Sequence, residues 1–154
     1  CYTRGGVDVE AHINDIETNL SEINTILDPQ YIILGDGTTR SSSSGTVPFS
    51  NLGGKGNGFT VNSTGVVTVN RDDINWVRVS ATIEMSPSDN RSWAKIMHNG
   101  VEMQNSLIYG SYCVHTLYSL LEVKKGDTIS ITYAETARLN ADGLYSRCYI
   151  EKVS

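Results

Sequence analysis

The sequence predicts a mainly β domain that is preceded by a short α-helical coiled coil. Two patterns lead to this prediction. Near the N-terminus, apolar residues recur at steps of four and three, which is the spacing of a coiled coil. From residue 46 onward they recur at every second position, in many short segments separated by turn residues, as in a β-sandwich or barrel. The 154 residues suffice for one such domain plus a short accessory segment.

The first element is a helix within residues 1–28, which we expect to form a trimeric stalk. Its apolar stripe consists of Val9, Ile13, Ile16, Leu20, Ile23 and Leu27. A stripe this narrow suits a coiled-coil seam better than the alternative, a helix packed on its own head domain. Isoleucine at most d positions, with isoleucine and leucine at a, favours three or more strands over two. The helix ends at Asp28-Pro29, because a residue before proline avoids helical conformations.

Residues 29–45 are predicted to link the stalk to the head. Within them, residues 31–34 are expected to form either one short strand or a plug over the base of the head. Glycine at both ends of 35–45 and four consecutive serines indicate a flexible link or an exposed loop. The glycine-rich segment 53–58 lacks a phosphate-binding pattern and is predicted to be a flexible hairpin loop.

The head, residues 46–154, is predicted to be all β. Residues 76–85 carry apolar side chains at every second position, as a half-buried strand does. Asn99-Gly100 predicts a hairpin turn, because both residues tolerate positive φ. Further strands are predicted at 59–61, 67–69, 94–96, 117–123, 128–133 and 144–153.

Net charge and hydropathy argue against several classes of protein. A net charge of −5 without a basic stripe argues against nucleic acid and anionic membranes as partners. No apolar run reaches the roughly 20 residues that span a bilayer, and no signal peptide is visible, so we expect no membrane insertion. The chain begins at Cys1 rather than Met, which indicates a piece of a longer protein. Cys113 and Cys148 are expected to be two buried thiols, with a bridge between them as the alternative.

No arrangement of side chains predicts catalysis, a metal or a cofactor. The three histidines are His12 in the stalk, His98 beside a turn and His115 in a strand, and none has a partner visible in sequence. Asp72-Asp73 suits a turn better than acid–base chemistry, since neighbouring side chains point apart. Calcium could accept oxygens from Asp36-Gly37 or Asp89-Asn90, but neither has a recognisable loop spacing. We therefore expect a binding module and not an enzyme.

Two stretches combine aromatic rings with polar groups, as a saccharide site requires. The rings would stack on a sugar's C–H face, and the polar groups would bond its hydroxyls. The candidate ligand-binding residues are Asp89, Asn90, Arg91, Trp93, Tyr109 and Tyr112. Two alternatives stay open: Trp93 packed under the sandwich or across a trimer axis, and both tyrosines buried between subunits. Tyr145, Arg147, Tyr149 and Glu151 share one face of the last strand, which suits an inter-subunit surface.

Five segments, taken in order, resemble the C1q/TNF-like jelly-roll superfamily. They are Val47-Pro48-Phe49-Ser50 and residues 59–69, 94–100, 120–131 and 146–153. The resemblance implies a ten-stranded jelly-roll β-sandwich, three-fold assembly, and ligand binding by loops or inter-subunit clefts. Two departures distinguish this chain from animal C1q heads. Residues 75–79 replace the Gly-x-Tyr-x-Phe segment, and a coiled coil replaces the collagen-like repeat.

That combination looks more like the head domain of a bacteriophage tail-fibre or baseplate receptor-binding protein. The resemblance therefore implies a homotrimeric adhesion head on the virion, recognising a host cell-surface polysaccharide alongside other fibre or baseplate subunits. One alternative is a structural trimerisation domain of a fibre, without a ligand of its own. Another is a secreted or spore-surface C1q-like protein.

Overall fold

The computed structural model describes residues 3–4, 7–35, 39–42, 45–134, 137–140 and 146–154. Within these ranges the chain forms one helix and fifteen strands. The first half comprises β1 (Thr3–Arg4), β2 (Val7–Asp8), α1 (Val9–Leu27), β3 (Tyr31–Gly35), β4 (Thr39–Ser42), β5 (Gly45–Thr46), β6 (Ser50–Lys55), β7 (Phe59–Val61) and β8 (Val67–Val69). The second half comprises β9 (Trp76–Pro87), β10 (Arg91–His98), β11 (Val101–Tyr109), β12 (Cys113–Glu122), β13 (Thr128–Ala134), β14 (Ala137–Asn140) and β15 (Arg147–Lys152).

Two antiparallel sheets build the head. The smaller sheet has the order β11-β10-β13-β8-β7, with β5 also paired to β13. The larger sheet has the order β4-β14-β9-β15-β3-β6. In it, β14 and β15 pair with successive parts of one side of β9, and β12 pairs along the opposite side of β9. Strands distant in sequence are therefore neighbours in both sheets, as in a jelly-roll sandwich. Separately, β1 and β2 form a two-stranded ribbon before the helix.

The core lies between the inner faces of the two sheets. Alternation along β9 buries every second side chain from Val77 to Met85, and β13 does the same with Ile129 and Ile131. The fully buried large side chains are Phe49, Ile32, Leu34, Ile74, Ile83, Met85, Ile96, Leu117, Leu121, Ile129 and Ile131. Cys113 and Cys148 are both buried and unbridged, as the favoured prediction had it.

The predicted helix is present, and its N-terminus is capped by Asp8, whose Oδ1 accepts the Ala11 N–H at 3.1 Å. Its stripe is not covered by the head of the same chain: Ile13, Ile16, Leu20 and Ile23 are each 50–56% exposed. Val9 is half-buried, and the side chain of Leu27 lies outside the described residues. No helix among the described residues has the length and apolar character to cross a membrane.

The segment predicted as a linker, 29–45, contributes strands to the sandwich. β3 pairs with β15 on one side and β6 on the other, because Ile32 and Leu34 are apolar enough to join the core. The glycine-rich hairpin loop is likewise shorter than predicted, since residues 53–55 belong to β6 and pair with β3. Gly54 suits this pairing, because a Cβ there would lie 2.4 Å from the Tyr31 carbonyl oxygen.

The stalk enters the sandwich at one end, here called the stalk end. The side-chain oxygen of Gln30 accepts the Gly58 N–H at 2.9 Å, and the backbone carbonyl of Gln30 accepts the Lys152 N–H at 2.8 Å. Asp28 forms an ion pair with Arg71 at 2.9 Å. β9 starts at this end, where Trp76 contacts the C-terminal Ser154 by backbone hydrogen bonds. At 3.2–3.4 Å per residue, β9 carries the chain about 35 Å to the opposite end.

Candidate functional site

The two sequence stretches predicted to bind a ligand meet at the end of the sandwich opposite the stalk end. The first is the turn 88–90 between β9 and β10, and the second is the turn 110–112 between β11 and β12. Arg91 and Tyr109 are directly paired, because β10 and β11 form one hairpin. Both turns and the strand ends beside them, residues 88–93 and 107–112, are called the tip below.

One backbone hydrogen bond joins the two turns of the tip, and local side-chain hydrogen bonds support each turn. The Asn90 carbonyl accepts the Gly110 N–H at 2.7 Å. Asn90 has φ of +60°, a left-handed conformation that asparagine tolerates better than most residues. Asp89 Oδ1 accepts the Arg91 N–H at 3.3 Å, and the Cys113 thiol donates to the Gly110 carbonyl at 3.4 Å. The tip is therefore a fixed surface made of two turns, and not a pair of independent loops.

The aromatic rings of the tip are accessible in the single chain. Tyr109 is 74% exposed and Tyr112 is 57% exposed. Asp89, Asn90 and Arg91 are exposed beside them. These residues offer ring faces, a carboxylate, an amide and a guanidinium within one surface, which is the mixture that binds a polyhydroxylated ligand.

Trp93 lies on the outer face of the smaller sheet, since its neighbours Ser92 and Ala94 are the buried residues of β10. Its position rules out packing under the sandwich. The Lys95 ammonium lies 4.4 Å from the centroid of the Trp93 ring, and the same group pairs with Glu102 at 2.9 Å. Leu107 is paired with Trp93 and is half exposed.

Lys95 and Leu107 are additions that sequence reasoning missed. Lys95 could have been found from the two-residue period of a strand, which places it on the same face as Trp93. Leu107 could not, because its position depends on the β10–β11 register.

A second surface, here called the assembly face, covers the outside of the larger sheet. It is built on Tyr31, Arg78, Tyr118, Tyr149 and Glu151. Arg78 Nη1 donates to Glu151 Oε1 at 2.6 Å, and Arg78 Nε donates to the Tyr118 hydroxyl at 3.1 Å. The Tyr31 and Tyr149 rings lie 5.8 Å apart, and the Tyr149 hydroxyl donates to Glu151 at 3.1 Å.

Hydrogen bonding and burial raise the pKa values of two groups of the assembly face. The bond to the Tyr118 hydroxyl, followed by that to Glu151, raises the pKa of Arg78. Burial, reinforced by Glu151, raises the pKa of Tyr149. A depression of about 220 Å³ lies beside these groups; its outer lining is Ser80, Thr82, Thr116, Tyr118, Arg147 and Tyr149. Tyr145, predicted to belong to the same face, lies outside the described residues.

Exposed apolar side chains adjoin the assembly face along one edge of the sandwich. That edge is formed by the edge strand of each sheet, β11 and β12. Its exposed apolar residues outside the assembly face include Val101, Met103, Leu107, Val114 and Leu120. The chain therefore presents an apolar edge and a polar–aromatic face, two different surfaces that could contact each other in a ring of copies.

The described residues do not supply a metal site. No group of three or more histidine, cysteine, aspartate or glutamate side chains is placed to hold a metal ion in the part of the chain that the structure describes. Asp72-Asp73 sits in a turn, where Asp73 is paired with Arg71. Burial raises the pKa of the Cys148 thiol to about 12, which keeps it protonated at neutral pH.

Comparison with known proteins identifies the fold. No family model and no curated protein matches the chain in sequence. Murine APRIL at pH 5.0 matches in structure with a TM-score of 0.68 and 12% identity, over 80% of this chain and 98% of that chain. Eiger TNF from S. frugiperda matches with a TM-score of 0.66 and 12% identity, over 82% of this chain and 94% of that chain. The likeness concerns the fold alone: the head of this chain is a TNF-like jelly roll.

Proposed function

We propose that this chain is the trimeric receptor-binding head of a phage fibre or baseplate protein and that its tip binds a host cell-surface saccharide. The observation that carries the proposal is the meeting of the two aromatic and polar turns at the end opposite the stalk. A head anchored by its stalk presents that end outward. Arg91 and Tyr109, paired there, would make the central contacts.

The tip suits a saccharide because the backbones of its two turns are joined before any ligand arrives. The Asn90–Gly110 hydrogen bond joins the turns, so little conformational entropy would be lost on binding. Tyr109 and Tyr112 would stack on sugar rings, and Asp89, Asn90 and Arg91 would bond hydroxyls. Trp93, partly covered by Lys95, would contribute at the side of the site.

The homotrimer would be held by the head and by the stalk. In the head, the apolar edge of one copy would pack on the assembly face of the next, a head-to-tail contact that closes as a ring. In the stalk, burial of the exposed stripe that includes Ile13, Ile16 and Leu20 would form a three-stranded coiled coil. Other subunits of the fibre or baseplate would attach on the stalk side.

Binding of the purified chain to host cell-wall polysaccharide and to a glycan array tests this function. Tyr109→Ala should weaken binding about tenfold or more, because truncating a central aromatic contact costs at least roughly 1.4 kcal/mol. The matched control is Val153→Ala, an exposed apolar residue at the stalk end that lies outside the apolar edge. Arg91→Ala and the exposed stalk-end Lys125→Ala form a second pair. No binding to any host envelope fraction would count heavily against the proposal.

The alternative function is a structural trimerisation domain without a ligand, which the apolar edge and assembly face would serve equally well. Competition separates the two. The isolated head should block attachment of the parent particle to its host if the tip binds a receptor. A head that assembles but never competes would support the structural role.

A further inference from the structure

A buried polar cluster lies behind the tip, in the interior of an otherwise apolar sandwich. His115 Nε2 and the Ser92 hydroxyl are 2.7 Å apart, and His115 Nδ1 and the Ser106 hydroxyl are 2.9 Å apart. His115 and Ser92 are 0% exposed, and Ser106 is half-buried. Both ring nitrogens are therefore used, and solvent does not reach the imidazole.

This cluster joins the two sheets at the strands that build the tip. Ser92 lies on β10 between Arg91 and Trp93, and Ser106 lies on β11, three residues before Tyr109. His115 belongs to β12 of the opposite sheet, three residues after Tyr112. One side chain thus fixes the separation of the β10–β11 hairpin from β12, and with it the relation between the two turns.

The groups around His115 offer no compensation for a positive charge. The titratable side chains that the described strands direct into the interior beside it are Cys113 on its own strand, Tyr133 on β13 and Cys148 on β15. Glu84 on β9 is also buried, at 7% exposure, but it alternates with the core residues Ile83 and Met85 and so lies on the other face of its sheet from His115. Lys95 on β10 alternates with the buried Ala94 and Ile96 and lies on the outer face of the smaller sheet. Burial lowers the pKa of His115, and the interaction of the ring with the Ser106 backbone opposes this only in part.

Protonation would break the pattern of hydrogen bonds as well as add a charge. In the neutral ring, one nitrogen donates to a serine hydroxyl and the other accepts from the second serine. In the imidazolium both nitrogens donate, so the serine that had donated must turn its proton elsewhere in a buried site. An unpaired charge in an apolar interior is strongly unfavourable.

We propose that His115 is an acid-sensitive latch for the tip: protonation separates β10 and β11 from β12 and weakens ligand binding by the two turns. The latch itself follows from the buried cluster. Its effect on ligand rests on the proposed function. The cluster would thus make adhesion conditional on a neutral or alkaline medium.

The direction of the pH dependence follows from the lowered pKa. Because the pKa of His115 is lowered in the closed form, the ring is more easily protonated when the tip opens. The neutral ring therefore stabilises the closed form fully above pH 6.5, the ordinary pKa of histidine. This stabilisation decreases as the pH falls below that value, until the lower pKa of the closed form is reached. Within this window, each pH unit changes the opening equilibrium by up to about tenfold.

Hydrogen exchange of the full chain at pH 7.5 and pH 5.0 tests the latch without any ligand. Protection factors, which divide out the intrinsic pH dependence of exchange, should decrease at pH 5.0 by about tenfold in β10 and β11. They should change little in β7 and β8, the far side of the same sheet. His115→Gln keeps a donor and an acceptor without titrating, so it should abolish the decrease. His98→Asn, which removes the other histidine of the head, should retain it.

Imidazole nitrogen NMR of the unsubstituted chain provides the second measurement, should His115→Gln fail to fold. His115 should remain neutral below pH 6.5, with its protonation coinciding with loss of protection in β10. The latch is overturned if His115 titrates at its ordinary pH with β10 protection unchanged, or if His115→Gln loses protection with acid as the unsubstituted chain does. If exchange shows the latch but no polysaccharide binds at either pH, the proposed function fails and the latch stands.

Discussion

At the scale of single residues, polar side chains form hydrogen bonds between neighbouring turns at the stalk end. Asp127 accepts His98 Nε2–H at 2.9 Å and the Lys124 N–H at 3.1 Å. Asn99, with φ of +49°, accepts the Thr128 N–H through its side chain at 2.8 Å. The β10–β11 turn and the β12–β13 turn are therefore hydrogen-bonded to each other, which stabilises this end of the sandwich.

Asp127→Asn should destabilise the head at pH 7 by about 1.5–3 kcal/mol, the usual worth of a hydrogen bond to a charged group. Burial raises the pKa of Asp127, but the hydrogen bonds from His98, Asn99 and Lys124 outweigh it and leave the pKa lowered. This carboxylate therefore stabilises the fold above its unfolded pKa of 3.8 and less as the pH falls through the lower folded value.

Urea unfolding at pH 7, 5 and 3 measures this effect. The variant should lose less stability between pH 5 and pH 3 than the unsubstituted chain, since the titrating group is gone. Asp72→Asn, at an exposed turn carboxylate, is the control and should change the free energy of unfolding by less than about 0.5 kcal/mol. If the Asp127 variant and the unsubstituted chain lose the same free energy of unfolding between pH 5 and pH 3, the stabilising role of the Asp127 carboxylate would be contradicted.

At the scale of elements, the sequence pattern predicted strands wherever apolar side chains point inward. β7 and β8 have their predicted bounds, and the β10–β11 turn lies at Asn99-Gly100. No strand was predicted at β11, because its pattern is inverted. Its inward positions include the polar Gln104 and Ser106, while the apolar Val101, Met103 and Leu107 are exposed. Periodicity cannot assign a strand that directs polar side chains toward a buried histidine and leaves apolar side chains exposed.

The stalk helix should depend on association of its stripe. A lone helix of 19 residues is marginal in water, and the half-exposed stripe receives no cover from the head. Leu20→Asp should therefore remove most of the helical signal in far-UV circular dichroism. Asn19→Asp, on the polar side, should preserve it. Equal signals for the two variants would show that the helix is stable without association.

At the scale of the whole molecule, topology brings together what the sequence keeps apart. The residue types of the tip were predictable, since rings beside Asp, Asn and Arg stand out in a strand-rich chain. Their convergence was not, because it depends on the pairing of Arg91 with Tyr109 and of Met85 with Cys113. The His115 cluster escaped prediction for the same reason, since its two serines come from other strands.

Assembly into the proposed trimer would link the stalk, the head and the tip. If the head alone holds the trimer, removing residues 1–27 should leave a trimeric mass by light scattering. The cut preserves Asp28 and Gln30, which are bonded to the head. A monomeric head would assign assembly to the stalk and place the ligand site within one sandwich.

In that shortened chain, Tyr118→Glu should give a monomer with an intact β-sheet spectrum. Tyr118 is half exposed and bonded to Arg78 on the assembly face, so in the proposed trimer a buried carboxylate would replace an aromatic contact between copies. Lys125→Glu, an equal change of sign at an exposed turn, is the control and should remain trimeric. Because Tyr118 lies on the sheet face and the tip lies at its end, the monomer would also show whether one sandwich suffices to bind the ligand.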